Sequence, residues 1–219
     1  MFSTGLQKLD EFLSGGVPGG VITDIFGSSG TGKTQLLFQL SLNAIKENAK
    51  ILYVDTSGSF RPERIIEIQK QTHHALNRLD NIAVLRVTNT HDQINSLQII
   101  NESDFDLVLV DNITDLFSYE YQNSERTFEK NLMFMQYMRG LSLYAIGKKI
   151  PIVVTNMVRS MDEKEVENMQ TAIDPFIQIK ISLFRGHSNF FGNAAWMQNS
   201  FGFSYKINSG GLTDTAEAI

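Results

Sequence analysis

The sequence predicts an α/β fold, in which a mostly parallel sheet is flanked by helices and ends in C-terminal antiparallel strands. Short aliphatic runs alternate with segments of helical spacing as far as Thr155, which is the order of a parallel sheet with crossover helices. A glycine-rich turn joins the first of these strands to the first long helix. From Phe176 onward apolar and polar residues alternate with a period of two, which indicates further strands.

Strands are predicted where aliphatic residues are consecutive or alternate, at 21–26, 50–54, 82–87, 107–110, 151–155, 177–181 and 201–205, and around Trp196. Helices are predicted at 35–46, 62–79, 91–101 and 125–147, and Pro62 suits the first turn of the second one. The last helix carries a stripe that we expect to form core, or core plus interface: Leu132, Met133, Met135, Tyr137, Met138 and Leu141.

Length and composition fit one domain over residues 1–219. Hydrophobic residues make up 42% and charged residues 20%, which is the opposite of the balance that produces disorder. The four prolines are spread along the chain and form no linker. Cysteine is absent, which excludes disulfides, thiol catalysis and thiolate zinc sites.

The chain has no recognisable targeting or membrane segment. Its first residues lack the basic and apolar regions of a signal peptide, and no apolar run approaches the roughly 18 residues of a membrane span. We therefore expect a cytoplasmic protein without a membrane partner. The net charge of −5 resides in residues 101–219, and no run of basic residues marks a nucleic-acid surface.

A phosphate-binding motif lies between the first strand and its helix. The run Gly27, Ser28, Ser29, Gly30, Thr31, Gly32, Lys33, Thr34 matches G-x-x-x-x-G-K-[ST] in full. The glycines let backbone N–H groups turn inward around a phosphate, and the helix N-terminus adds positive potential. We expect Lys33 on the β- and γ-phosphates of ATP and the Thr34 hydroxyl on Mg²⁺. The alternative is a glycine-rich turn that matches by chance.

A second anchor for the metal is predicted at Asp111. It ends the aliphatic strand at 107–110, which is the Walker B arrangement, where the carboxylate holds Mg²⁺ through water. The alternative is an aspartate in a strand-end turn without a metal.

Three segments together resemble the RecA/RadA-type recombinase ATPases, and within them most of all the short archaeal paralog RadB. These segments are 3–10 with Gly15 and Gly16, then 55–64 with its Phe-Arg-Pro-Glu-Arg stretch, and 155–158. The resemblance covers nearly the whole chain and implies a RecA-like P-loop NTPase core. It also implies an accessory role in DNA repair and homologous recombination. Because the chain starts almost at this core, we expect no N-terminal helical domain.

The resemblance also implies ligands and partners. Arg64 is the residue that stacks on adenine in this family, and a guanidinium plane suits an aromatic ring; the alternative is a solvated arginine on a helix face. The implied partners are single-stranded or branched DNA, bound weakly, and the main RadA-type recombinase or another repair protein.

Two positions depart from the family pattern. Ser57 stands where the family has the glutamate that orients the attacking water, and a serine hydroxyl is no base at neutral pH. Met157 stands where a glutamine senses the γ-phosphate, and methionine has no donor. We expect ATP binding with slow or absent hydrolysis. The alternative is that another carboxylate takes the role; Asp55 and Glu63 are nearby in sequence.

The two loops that carry DNA in the family correspond to 122–130 and 159–174. The second holds five acidic residues against two basic ones, and an acidic loop repels phosphate. Arg159, Arg185 and His187 are the candidate DNA contacts, and solvated surface residues are the alternative at each position.

A competing hypothesis is a nucleotide-gated protein-interaction module without DNA binding, either KaiC-like or a scaffold. It would use the aromatic residues Phe190, Phe191 and Trp196 as a partner surface. The opening Thr-Gly-x-x-x-Leu-Asp is shared with KaiC-like ATPases, whereas the Phe-Arg-Pro-Glu-Arg stretch argues against them.

Overall fold

The structure is a computed structural model that describes residues 1–71, 79–122, 124–161, 164–187 and 189–215. Its strands are β1 Ile22–Gly27, β2 Ile51–Asp55, β3 Ile82–Arg86, β4 Leu107–Asp111, β5 Ile152–Met161, β6 Lys164–Glu167, β7 Ile179–Arg185, β8 Phe190–Trp196, β9 Asn199–Asn208 and β10 Gly211–Asp214. Its helices are α1 Gln7–Phe12, α2 Lys33–Lys46, α3 Pro62–Gln71, α4 Thr90–Glu102, α5 Asp115–Glu120, α6 Thr127–Lys148 and α7 Gln170–Ile173.

The strands of the described ranges lie in the order β10-β9-β8-β7-β1-β5-β4-β2-β3. The neighbours from β7 to β3 pair in parallel, and β8, β9 and β10 extend the β7 side with antiparallel pairs. The short strand β6 forms a hairpin with the outer half of β5. This architecture confirms the predicted fold class, a parallel α/β sheet with C-terminal antiparallel strands.

Helices cover both faces of the parallel part, and every residue of β2 and β4 is buried. Burial on both faces is the reason why these strands read as continuous aliphatic runs. One core cluster packs α1 and α2 against the sheet through residues such as Leu9, Leu36 and Leu37. The other packs α4 and α6 against the opposite face.

The stripe predicted on α6 divides between core and surface. Tyr137, Met138 and Leu141 are buried in the second cluster, as predicted. Leu132 and Met135 are instead 48% and 40% exposed, so they lie outside the core, and a role for them in an interface stays a prediction. The buried residues of α6 follow the helical repeat from Phe134, and neither of these two lies on that face.

Several boundaries differ from the predicted ones. Strand β5 extends to Met161 because its outer half pairs with β6, which the sequence pattern did not indicate. Helix α3 is described as far as Gln71, Leu79 lies in a 3₁₀ turn, and residues 72–78 of the predicted helix are outside the described residues. The short elements α1, α5, α7 and β10 were not predicted. Within the described ranges, the helices are too short or too polar to cross a bilayer.

The functional side chains meet at the carboxyl edge of the parallel strands. Gly27 at the end of β1 is in register with Met157 on β5, and Asp55 at the end of β2 is in register with Asp111 on β4. Since β4 lies between β5 and β2, the segments after these four strands converge on one crevice, which is where open α/β sheets bind ligands.

Candidate functional site

The turn between β1 and α2 has the backbone of a phosphate cradle. Gly30 and Gly32 have φ values of 78° and 94°, in the left-handed region that favours glycine. A β-carbon on Gly27 would lie 2.1 Å from the carbonyl oxygen of Leu183 on β7, so this position also requires glycine. The turn therefore delivers free N–H groups and the start of α2 to one point.

Lys33 lies folded over this turn. Its Nζ donates to the carbonyl oxygens of Gly27 at 2.7 Å and Ser28 at 2.8 Å. Burial lowers the pKa of Lys33, while the negative charges of Asp111 and Asp115 oppose that shift. An ammonium group with two carbonyl partners at the cradle is positioned to exchange them for phosphate oxygens.

Asp111 accepts hydrogen bonds from four hydroxyl groups. Its Oδ2 accepts from Thr34 Oγ1 at 2.8 Å, Tyr53 Oη at 2.8 Å and Ser59 Oγ at 3.0 Å, and its Oδ1 accepts from Thr155 Oγ1 at 2.5 Å. Thr34 belongs to α2, Tyr53 to β2, Ser59 to the segment that follows β2, and Thr155 to β5. Burial raises the pKa of the Tyr53 phenol, and the charge of Asp111 raises it further, so Tyr53 stays a donor.

The oxygens of Thr34 and Asp111 suit a magnesium ion. They are 2.8 Å apart at the open side of the cradle, and hydroxyl and carboxylate oxygens are the hard ligands that Mg²⁺ prefers. Within the described residues, no group of three or more His, Asp or Glu side chains could hold a metal by itself. A metal at this place would thus complete its shell with phosphate oxygens and water, as Mg²⁺ in nucleotide sites does.

A cleft of about 400 Å³ opens over the cradle, a volume within the range of small-molecule sites. It is lined by Ser29, Gly30, Gly32, Lys33, Thr34, Gln35, Phe38, Ser57, Ser59, Asp111, Asn112, Asp115, Met157 and Ile207. The structure thus brings together the cradle, Asp111, Ser57 and Met157, which the sequence analysis singled out separately.

Neither Ser57 nor Asp55 is arranged to accept a proton in the cleft. Ser57 Oγ lies 2.7 Å from Ser59 Oγ, and one hydroxyl donates to the other. The Asp55 carboxylate accepts from the backbone N–H groups of Gly58 at 2.8 Å and Ser59 at 3.1 Å, and it lies 3.5 Å from Arg86. Glu63 is exposed on α3. Neither of these two carboxylates, named as nearby in sequence, lines the cleft.

Asp115 is a site residue that the sequence reasoning missed. It begins α5 four residues after Asp111 and lines the cleft beside Met157. Burial raises the pKa of its carboxyl group, the charge of Asp111 raises it further, and Lys33 opposes the shift. A signal was available, because a carboxylate shortly after the end of a central parallel strand points to the ligand edge of the sheet.

Arg64 lies at the side of the cleft. Its Nε donates to Oε1 of Gln35, which lines the cleft, at 2.8 Å. Its terminal nitrogens donate to the carbonyl oxygens of Asn208 at 2.7 Å and Ser209 at 3.0 Å. The side chain thus connects α3 to the turn between β9 and β10, and adenine stacking by Arg64 stays a prediction.

The β5–β6 hairpin, which corresponds to the start of the second predicted DNA loop, contacts the cradle. Ser28 Oγ donates to Oε1 of Glu165 on β6 at 2.6 Å. Behind it, Lys180 pairs with Glu167 and with Asp174. Two of the five acidic residues in 159–174 therefore share one lysine from β7, which offsets one of their two negative charges and makes this loop less repulsive to phosphate than its composition indicated.

The candidate DNA contacts occupy two places. Arg159 on β5 helps to line a second cleft of about 510 Å³, together with Lys130 at the start of α6 and with Asp115 and Met157 from the first cleft. Arg185 and His187 are exposed at the end of β7, which β1 separates from β5. The structure therefore does not join the three candidates in one cleft.

Comparison with known proteins identifies the family of the chain. A family model described as Rad51 matches residues 1–177. The DNA repair protein rhp51 of Schizosaccharomyces pombe is 34% identical over 169 residues, which are 71% of this chain and 46% of that protein. The DNA repair protein RAD51 of Saccharomyces cerevisiae is 34% identical over 167 residues, 71% of this chain and 42% of that protein. The chain thus spans about half the length of these curated relatives. By the family model over residues 1–177, the chain belongs to the Rad51 family, the RecA/RadA-type recombinase ATPases.

Proposed function

We propose that the protein binds ATP with Mg²⁺ and acts in DNA repair and homologous recombination. Its role would be that of a RadB-like paralog accessory to the main strand-exchange recombinase. The observation that carries this proposal is the hydrogen bond between Thr34 and Asp111, which unites the phosphate cradle with the strand-end carboxylate. The relatives named as DNA repair proteins support the biological setting.

Nucleotide binding follows from the geometry of the cradle. Lys33 exchanges the carbonyl oxygens of Gly27 and Ser28 for the β- and γ-phosphates, while the N–H groups of the turn hold the remaining oxygens. Thr34 and Asp111 orient the metal, which neutralises phosphate charge when bound. Gln35 lies between the cleft and Arg64 and is placed to orient the guanidinium plane toward a base.

Hydrolysis is proposed to be slow. The Ser57 hydroxyl pairs with Ser59, and Asp55 is occupied by backbone donors, so the segment after β2 offers no proton acceptor. Met157 lines the cleft with a side chain that cannot donate to a γ-phosphate. The protein would therefore persist in an ATP-bound state in which it contacts its partners.

DNA binding is proposed to be weak and electrostatic. Arg159 and Lys130 line one cleft at the edge that carries the β5–β6 hairpin. Arg126, in the first predicted loop, is paired with Glu129 at 2.9 Å. The negative charge of Glu129 weakens the attraction of Arg126 for a phosphate. The proposed ligands are single-stranded or branched DNA, and the proposed protein partner is the RadA-type recombinase or another repair protein.

The aromatic residues of the tail favour this proposal over a scaffold that lacks DNA binding. Phe190 stacks on Tyr205 with ring centroids 5.6 Å apart, and Trp196 packs against the first core cluster. Phe191 stacks on Phe184 at 5.8 Å. Since these rings pack against other residues of the sheet and its core, less aromatic surface is available for a partner than the sequence pattern indicated.

The proposal is tested by measuring ATP affinity and turnover on one preparation, with and without single-stranded DNA. Lys33→Ala should weaken ATP binding by about 10–100-fold, the value of hydrogen bonds to a charged group. The matched control is Lys46→Ala, at the exposed end of the same helix. Equal ATP affinity in the Lys33 variant and the wild type would contradict the nucleotide site. Turnover as fast as that of a strand-exchange ATPase would contradict the ATP-held state.

A further inference from the structure

We infer that Asp115 is the general base for the hydrolysis that this protein retains. Asp115 lies in the segment after β4 and fills the role that Ser57, in the segment after β2, cannot fill. This inference rests on the proposed ATP site and deepens it by naming the group that accepts the proton of the attacking water.

The strand order places the two positions side by side. β2 and β4 are neighbours in parallel register, with Asp55 opposite Asp111. Ser57 follows the first strand end by two residues, and Asp115 follows the second by four. Both side chains line the same cleft, so a water molecule facing the terminal phosphate can be reached from either segment.

Of the three aspartates at this edge, Asp115 is the one whose carboxylate is not already engaged. Asp111 accepts four hydroxyl donors, and Asp55 accepts backbone N–H groups and pairs with Arg86. In the part of the chain that the structure describes, no group donates a hydrogen bond to Asp115. Its oxygens are therefore free to bind a water molecule and to accept its proton.

The surroundings of Asp115 strengthen it as a base. It is half-buried, and burial raises the pKa of its carboxyl group, so the carboxylate binds a proton more readily than an exposed one. Lys33 and Asp115 line the same cleft, and their charges interact.

In the proposed step, Asp115 takes one proton from water while ATP is split into ADP and phosphate. The water oxygen forms a bond to the γ-phosphorus while its proton passes to an Asp115 oxygen. The bond from the γ-phosphorus to the bridging oxygen breaks, and its electron pair leaves with the β-phosphate of ADP. Asp115 then returns the proton to phosphate or solvent.

The test compares Asp115→Asn with the exposed control Asp80→Asn in the full chain. Turnover per bound ATP should fall at least about 100-fold in Asp115→Asn, the usual contribution of a general base, and stay at the wild-type level in the control. Affinity for ADP should be unchanged. Affinity for ADP with aluminium fluoride, which reproduces the transferring phosphoryl group and its in-line water, should fall. Ser57→Glu in the Asp115→Asn background should restore turnover from the neighbouring strand.

Three results would overturn the inference while leaving the ATP site intact. The first is that the wild type binds ATP but shows no turnover that depends on Lys33. The others are turnover in Asp115→Asn above half of the wild-type value, and no restoration of turnover by Ser57→Glu. A parallel loss of ADP affinity or of thermal stability would assign Asp115 a structural role instead. Failure of the wild type to bind ATP would contradict the proposed function itself.

Discussion

Thr34 Oγ1 donates a 2.8 Å hydrogen bond to Asp111 Oδ2, across 77 positions of sequence. The bond joins the first turn of α2 to the end of β4 and holds close together the two oxygens that would bind Mg²⁺. Pre-organised ligands of this kind lower the cost of metal binding, because less conformational freedom is lost. Tyr53 and Thr155 fix the same carboxylate from both neighbouring strands.

Replacing the Asp111 carboxylate by an amide should remove most of the Mg²⁺ dependence of nucleotide affinity. In Asp111→Asn, the affinity for ATP in the presence of Mg²⁺ should fall by about 10–100-fold, because a charged partner worth about 1.5–3 kcal/mol is lost. Affinity for ADP without Mg²⁺ should hardly change. Titration calorimetry with and without the metal measures both values. The exposed Asp104→Asn is the control, and an equal loss in both magnesium conditions would show a role in folding rather than in metal binding.

Neutralising Glu165 should tighten ATP binding. Its carboxylate lies 2.6 Å from Ser28 Oγ in the cradle, where it repels an incoming phosphate. The contact is exposed, so Glu165→Gln should increase ATP affinity by no more than about fivefold, in the range of exposed charge interactions. Displacement of a fluorescent ATP analogue measures the change, which should shrink as salt concentration rises.

Ser28→Ala provides the partner for a double-mutant cycle with Glu165→Gln. If the hydrogen bond holds the hairpin against the cradle, the two substitutions should not add in their effect on ATP affinity. Additive effects would mean that the two side chains act on the nucleotide independently.

Asp24→Asn should stabilise the protein increasingly as pH rises. Asp24 is fully buried on β1, and burial raises its pKa well above 3.8; the charge of Glu167 raises it further, whereas Lys180 opposes the shift. Since the pKa is higher in the folded state, folding takes up a proton, and stability falls as pH rises from about 4 toward the folded-state pKa. Asparagine carries no such dependence.

Thermal unfolding of wild type and Asp24→Asn between pH 4 and pH 9 measures this difference. Each kcal/mol gained should raise Tm by about 2–4 °C in a protein of this size. The difference in Tm between Asp24→Asn and the wild type should increase with pH. The difference between Asp80→Asn and the wild type should show no such trend. If the difference in Tm between Asp24→Asn and the wild type decreased with rising pH, Asp24 would be ionised in the folded state.

Arg159→Ala should weaken the binding of single-stranded DNA and reduce its salt dependence. Each phosphate contact contributes about 0.7 to the slope of log affinity against log salt on a single strand, so the slope should fall by about that amount. Arg139→Ala, exposed on α6, is the matched control. Fluorescence anisotropy at several salt concentrations gives both slopes. Equal slopes for the variant and the wild type would exclude Arg159 as a phosphate contact.

The sequence by itself determined the parts of the site that are local. The phosphate cradle needs a fixed spacing of glycines between a strand and a helix, and Asp111 is marked by the aliphatic strand that it ends. The alternation of strands and helices predicted the parallel sheet for a similar reason, because each element carries its own periodicity. The positions of Ser57 and Met157 at the cleft were implied by the resemblance to the recombinase family.

Only the tertiary structure decided which distant groups surround those parts. Tyr53 and Thr155 reach Asp111 because β4 lies between β2 and β5, and periodicity does not encode strand order. The same strand order places Asp115 in the cleft. Lys180 pairs with Glu167 and Asp174 from another strand and offsets one of their two negative charges, which the charge count of one loop could not reveal. Motifs specify local backbone geometry, whereas burial and charge compensation depend on neighbours that the folded sheet brings together.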